Sequence, residues 1–132
     1  MSKGASVLRS HHTVMAGVLT HTHHHPTDML RDQRNVAADI SYTLAQYLEE
    51  QRQDARAKVR YNQALKLQSA HEKSMLGLAR LHLRLGELDA CQAQCVTLMR
   101  VDPSNEEASM MLADIMFRKN ESDVRLLRGG AL

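Results

Sequence analysis

Three groups of side chains in this 132-residue chain are of types that do chemistry. The densest is imidazole: His11, His12, His21, His23, His24 and His25 all precede Pro26, out of eight histidines in the chain. Neutral imidazoles bind Zn²⁺ or Ni²⁺ well. A structural metal site also needs a fixed tetrahedral frame and partners that orient each ring. A stretch whose gaps hold mostly Gly, Ser and Thr supplies neither. Residues 1–26 therefore read as a disordered His-rich leader, and no metal is expected. The second group, Cys91 and Cys95, lies one turn apart on one helix face. The spacing is not C-x-x-C, and no second Cys or His pair follows at zinc-finger distance. The two thiols read as small apolar packing residues. The third, His82, stands alone at a helix interface. No Ser/His/Asp set, phosphate-binding loop or Gly-x-Gly-x-x-Gly appears, so no enzyme activity and no cofactor is expected.

The elements that carry these residues follow from composition and periodicity. With 3% aromatic residues and no Trp, a β-sandwich or barrel lacks its usual core material. Leu, Ala, Met, Gln, Arg and Glu, all good helix formers, dominate. The formal charge of +2 is small, and its basic residues are interleaved with Asp and Glu, which argues against a nucleic-acid partner. No run of about 18 apolar residues exists, so no direct membrane insertion is expected. Two cysteines without a secretory signal suggest a reducing compartment.

The order of the helices comes from a repeat. The pairs Leu44-Ala45, Leu78-Ala79 and Leu112-Ala113 recur 34 residues apart both times. That is the period of the two-helix tetratricopeptide repeat. With Leu-Ala at positions 7 and 8, units begin at residues 38, 72 and 106. Gly86 and Pro103 then fall at the turn positions of unit two. Ala57, Tyr61 and Ala64 fill the small, aromatic, small positions 20, 24 and 27 of unit one, and Cys91, Cys95 and Leu98 those of unit two. Ser69-x-x-Glu72 and Ser104-x-x-Glu107 are capping-box patterns at the two unit junctions. Helices are expected at about 38–51, 54–67, 72–85, 88–101 and 106–119, with a further helix from Asp28 packed before the first or merged with it. The domain expected over 27–120 is all-α: a solenoid of about two and a half repeats, stacked as right-handed helix pairs. A flexible tail is expected over 121–132, because Arg125 and Gly129 stand where a small and an aromatic residue belong. With no polar capping helix at that end, the array is expected to continue or to need a partner.

The run from Cys91 through Leu98, with Met110 through Lys119 and with His71 through Leu81, resembles the tetratricopeptide repeat protein 21 family, the large repeat subunit of the intraflagellar transport A complex. The resemblance covers about residues 38–120. It implies a scaffold in retrograde ciliary transport and in protein localisation to the cilium. The implied partners are other proteins, above all other intraflagellar transport subunits, and the implied locations are cytoplasm and cilium. Two alternatives stand beside it: a chaperone-associated module that grips acidic C-terminal peptides, and a truncated product without independent function. First helices of such units line the concave face. Unit one offers Asp39, Tyr42, Gln46, Glu49 and Glu50 there. The candidate partner-binding residues are Lys73, Leu76, Arg80, Leu83 and Arg84 of unit two with Asp114 and Phe117 of unit three. Lys73, Arg80 and Arg84 form the candidate cluster for an acidic segment.

Overall fold

A computed structural model describes residues 26–130; the histidine tract and its leader lie outside the described residues. Five helices follow in order: α1 Pro26–Glu50, α2 Asp54–Leu67, α3 Glu72–Arg84, α4 Leu88–Val101 and α5 Glu106–Gly130. There is no strand among the described residues. Packing separates the residues up to 34 from residues 35–132; apart from the extent of α1, everything below concerns the second part. There α2 packs on α3, α3 on α4 and α4 on α5, and α3 also meets α5. This is the nested succession of helix pairs that the 34-residue spacing demands.

Two expected boundaries move. The first helix and the one from Asp28 are a single continuous helix that opens at Pro26. Proline suits a first helical position, where its missing N–H has no partner to lose. At the other end α5 runs on to Gly130, so residues 121–130, read as a tail, are helical. No proline interrupts the run, and Arg125 donates to Glu121 one turn back.

The helix ends explain the loops. Leu85-Gly86-Glu87 closes α3 in a Schellman motif: Glu87 N–H donates to the His82 carbonyl and Gly86 N–H to that of Leu83. Gly86 takes the left-handed φ of 77° that this requires. The same motif closes the first helix 34 residues earlier, with Gln53 N–H on the Leu48 carbonyl and Arg52 N–H on that of Glu49. There the left-handed residue is Arg52, at φ 59°. A side chain in that region carries a steric penalty that glycine avoids. Arg52→Gly is therefore expected to raise stability by about 0.5–1 kcal/mol, read as a higher thermal unfolding midpoint. Gly86→Ala is expected to lower it by a similar amount, although nothing lies within 4 Å of the added methyl.

The two capping boxes do not form. The residue immediately before each helix takes the role instead. His71 Nδ1 accepts from Ser74 N–H (3.3 Å) and Asn105 Oδ1 from Ala108 N–H (2.9 Å). Ser69 and Ser104 lie farther out in the turns, and Ser104 Oγ donates to Asp102. Both helices begin at the first residue of their unit, which places the serines too early to reach an orphan N–H.

The core consists of two clusters built from the repeat positions. Ala45, Leu48, Ala57, Tyr61, Leu78 and Leu81 form one; the other holds Met75, Ala79, Cys91, Cys95, Leu98 and Ile115, with Ala108 and Met111. Ala64 is also fully buried, and Leu44 and Leu112 are half-buried and packed against the clusters. Small residues let paired helices approach closely. The tightest approach is Gly77, where an added Cβ would stand 2.6 Å from Tyr61 Cε1. Tyr61 is position 24 of unit one and Gly77 position 6 of unit two. The corresponding pair at the next junction is Cys95 and Met111, with the sizes reversed. One expected packing residue departs from the pattern: Ala113 is exposed, whereas Ala45 and Ala79 at the same position are fully buried. Position 8 receives the second helix of its own unit, and α5 continues straight where that helix would fold back.

Candidate functional site

The first helices α1, α3 and α5 present the residues picked out as a binding face, but most of them already have partners within the chain. Arg80 makes a two-pronged pair with Glu107 of α5. Arg84 reaches Asp54 of α2 (2.7 Å) and Glu49 of α1 (3.3 Å). Asp114 is paired with Arg118 one turn on (3.1 Å). Leu76 and Leu83 are half-buried against the second cluster. Lys73 and Phe117 are exposed, Phe117 at 68%, as are Arg80 and Arg84 alongside their ion pairs. The three cations of α3 thus do not act as one open cluster. Two of them join neighbouring units, as do Lys58 with Glu87 and Lys119 with Asp89 and Gln92. Sequence spacing put these cations on one face, but the carboxylates opposite them come from residues 27 to 35 positions away.

These pairs set the local electrostatics. A hydrogen bond from its basic partner holds each carboxyl below the usual carboxylate range: Arg84 for Asp54, Arg80 for Glu107, Lys58 for Glu87 and Lys119 for Asp89. A carboxyl depressed in the folded state stabilises it above its unfolded pKa, and that contribution is lost as pH falls through the folded value. The thermal midpoint is expected to stay level from pH 8 to pH 5 and to drop below about pH 4. Because these groups are exposed, the drop should shrink in 1 M salt. An Arg80→Gln variant should show a shallower acid limb than the parent.

Between the first two units lies a cleft of about 220 Å³ lined by Gln46, Glu49, Glu50, Tyr61, Gly77 and Arg80. Its floor is the Tyr61 hydroxyl, which donates to Glu49. Burial, and then the bond to Glu49, pushes that phenol well above its usual range. The tilted ring of Tyr42 lies 6.1 Å from Tyr61 and 5.8 Å from His71.

His71 is the polar residue that sequence reasoning missed. It is buried and joins Asp39 of α1 (Nε2 to Oδ1, 2.6 Å) to Ser74 of α3 (Nδ1 to Oγ, 2.7 Å). An Asp/His/Ser series therefore does exist, formed by residues 39, 71 and 74. It is a cap and a strut. The Ser74 hydroxyl is fully buried, so no substrate can reach it. Because Nδ1 accepts from Ser74 N–H, Nε2 carries the proton and donates to Asp39. Ser69 satisfies the local capping pattern, but the available signal for the cap is the place of His71 at the last position of unit one. His82, by contrast, is half-buried, with Nδ1 3.3 Å from Glu87.

Cys91 and Cys95 are fully buried, free thiols within the second cluster. Burial pushes both up, Cys95 to about 12. Thiolate is the reacting species. Maleimide or disulfide reagents at pH 8 are therefore expected to leave both unlabelled in the native protein and to label both in denaturant. Among the described residues no group of three His, Cys, Asp or Glu side chains could hold a metal ion. No helix among them is long and apolar enough to cross a membrane.

Comparison with known proteins agrees with this architecture. A tetratricopeptide repeat family model matches residues 50–115. The chain is 36% identical over 94 residues to tetratricopeptide repeat protein 21B of Xenopus laevis, an alignment covering 71% of this chain and 7% of that protein. It is 34% identical over 101 residues to tetratricopeptide repeat protein 21A of Mus musculus, covering 76% and 8%. Against tetratricopeptide repeat protein 21A of Homo sapiens it is 30% identical over 99 residues, covering 75% and 8%. The chain thus spans less than a tenth of the length of the curated relatives it matches.

Proposed function

The chain belongs to the tetratricopeptide repeat family, and from that premise we propose that it is a protein-binding scaffold of the ciliary transport kind. The observation that carries the proposal is the stack of paired helices, keyed by Ala45, Ala57, Tyr61, Ala79, Cys91 and Cys95, in a chain similar to protein 21A and 21B over about three quarters of its length. Such a stack holds partners on side chains of successive helices, and nothing in it asks for a substrate. The resemblance points to other intraflagellar transport subunits as partners, to retrograde transport as the process, and to cytoplasm and cilium as the places. Lys73 and Phe117 remain as exposed contact residues on this face. The alternative of a grip on acidic C-terminal peptides loses support, because Arg80 and Arg84 already have carboxylate partners. The test is affinity purification of the tagged full chain from ciliated cells, scored by mass spectrometry for other subunits of the transport A complex. Their enrichment over a tag-only control is expected. Their absence, with the chain folded and excluded from cilia, would overturn the ciliary reading.

A further inference from the structure

The outer face of α1 repeats, position for position, a surface that the rest of the array buries. Ile40, Thr43 and Tyr47 stand at positions 3, 6 and 10 of unit one. The same positions are Ser74, Gly77 and Leu81 in unit two, and Ala108, Met111 and Ile115 in unit three; all six are buried. The second helix of the preceding unit lies against them, α2 on α3 and α4 on α5. On α1 they are open: Ile40 is 63% exposed and Tyr47 56%. With Val36, Asp39 and Leu44 they line an apolar concavity of about 620 Å³. Thr43 adds to its apolar character, because its hydroxyl turns back to the Asp39 carbonyl.

The usual way of covering such a face is closed. The boundary residues that form turns at 68–71 and 102–105 correspond to 34–37 here, and these are helical. A preceding second helix joined through the standard turn cannot lie on this face. We infer that it is the docking site for a single amphipathic helix supplied by a partner protein. The occupant lies across α1 as α2 lies across α3, and it is of similar length, 14 residues. It is apolar on one side and presents a small residue opposite Thr43. The internal precedent for that is Tyr61, which fits only because Gly77 has no Cβ. A lysine or arginine adds to the His71 Nε2 bond on Asp39, whose side chain remains 64% exposed beside the apolar strip. This site deepens the scaffold reading by adding a surface that borders the concave face at Asp39, and it rests on that reading only for the premise of a protein partner.

The test uses the full chain and a peptide copying residues 87–102, the second helix of unit two, with Cys91→Ala and Cys95→Ala. A staple between positions 93 and 97, both exposed in α4, supplies the helicity that so short a peptide lacks alone. Titration by fluorescence anisotropy is expected to saturate. Ile40→Glu and Tyr47→Glu should each weaken binding by about tenfold or more, and Met116→Glu, an exposed position at the other end, should leave it unchanged. Both α1 sites are surface positions, so an unchanged thermal midpoint will show that the variants fold. Absence of saturation, or equal binding by the parent and a folded Ile40→Glu variant, would overturn the inference. So would sedimentation showing a dimer of the parent that Ile40→Glu dissolves, which would assign the face to a second copy. The titration involves no ciliary protein, so its failure and that of the transport proposal are separable.

Discussion

Replacing Tyr61 by alanine is expected to destabilise the repeat domain by about 3–5 kcal/mol, the range for emptying a buried aromatic site. Tyr61 is 1% exposed and belongs to the first cluster with residues from three helices, so its loss opens a cavity at the apolar joint between units one and two. Folded domains of this size are stable by only about 5–15 kcal/mol. A large fall in the chemical denaturation midpoint is the expected reading, with local exchange protection falling most in α1 and α2. Tyr61→Phe separates volume from polarity. It keeps the ring and removes only the hydrogen bond to Glu49, and should change stability by about 1 kcal/mol. If alanine and phenylalanine prove equally mild, the joint is not held by the ring.

The second large effect is one of coupling. Gly77→Ala should destabilise the parent by about 1–2 kcal/mol even though alanine is the better helix former by roughly 1 kcal/mol. The new methyl would meet the Tyr61 ring at 2.6 and 2.8 Å, and that ring is fixed by burial and by its bond to Glu49. In a Tyr61→Ala background the obstruction is gone and only the helix preference remains. The same substitution should then stabilise by up to about 1 kcal/mol. Four denaturation curves forming a double-mutant cycle test this, and a sign reversal is the diagnostic outcome. Simple additivity would mean that the ring moves aside.

The sequence shows what the repeat dictates and hides what depends on three-dimensional neighbours. The spacing of Leu44, Leu78 and Leu112 located every paired helix, because identical packing demands recur at a fixed period. Gly86 was legible as a turn residue for the same reason. Arg52, at the equivalent place, was not, since nothing in an arginine announces a left-handed backbone. The caps lie two residues and one residue beyond the expected serines, because Ser69 and Ser104 satisfy a local pattern while His71 and Asn105 hold the position that counts. The expected end of α5 near residue 119 follows from Arg125 and Gly129, which do not fit a second helix of the repeat; the helix instead runs straight on to Gly130, and Ala113 is left exposed. The binding face suffered most. Residues on one helix face can be read from spacing, but whether Arg80 or Arg84 is open to a visitor depends on Glu107, Asp54 and Glu49, which spacing does not reveal.

The opposite sizes at the two joints also limit how such a chain could have grown by gene duplication. Copying unit two in tandem would set Cys95 of one copy against Gly77 of the next, leaving a void where Tyr61 now stands. Copying unit one would drive Tyr61 against Thr43. New units would therefore have to arrive with compensating changes at positions 6 and 24, or as blocks long enough to bring their own matched pair.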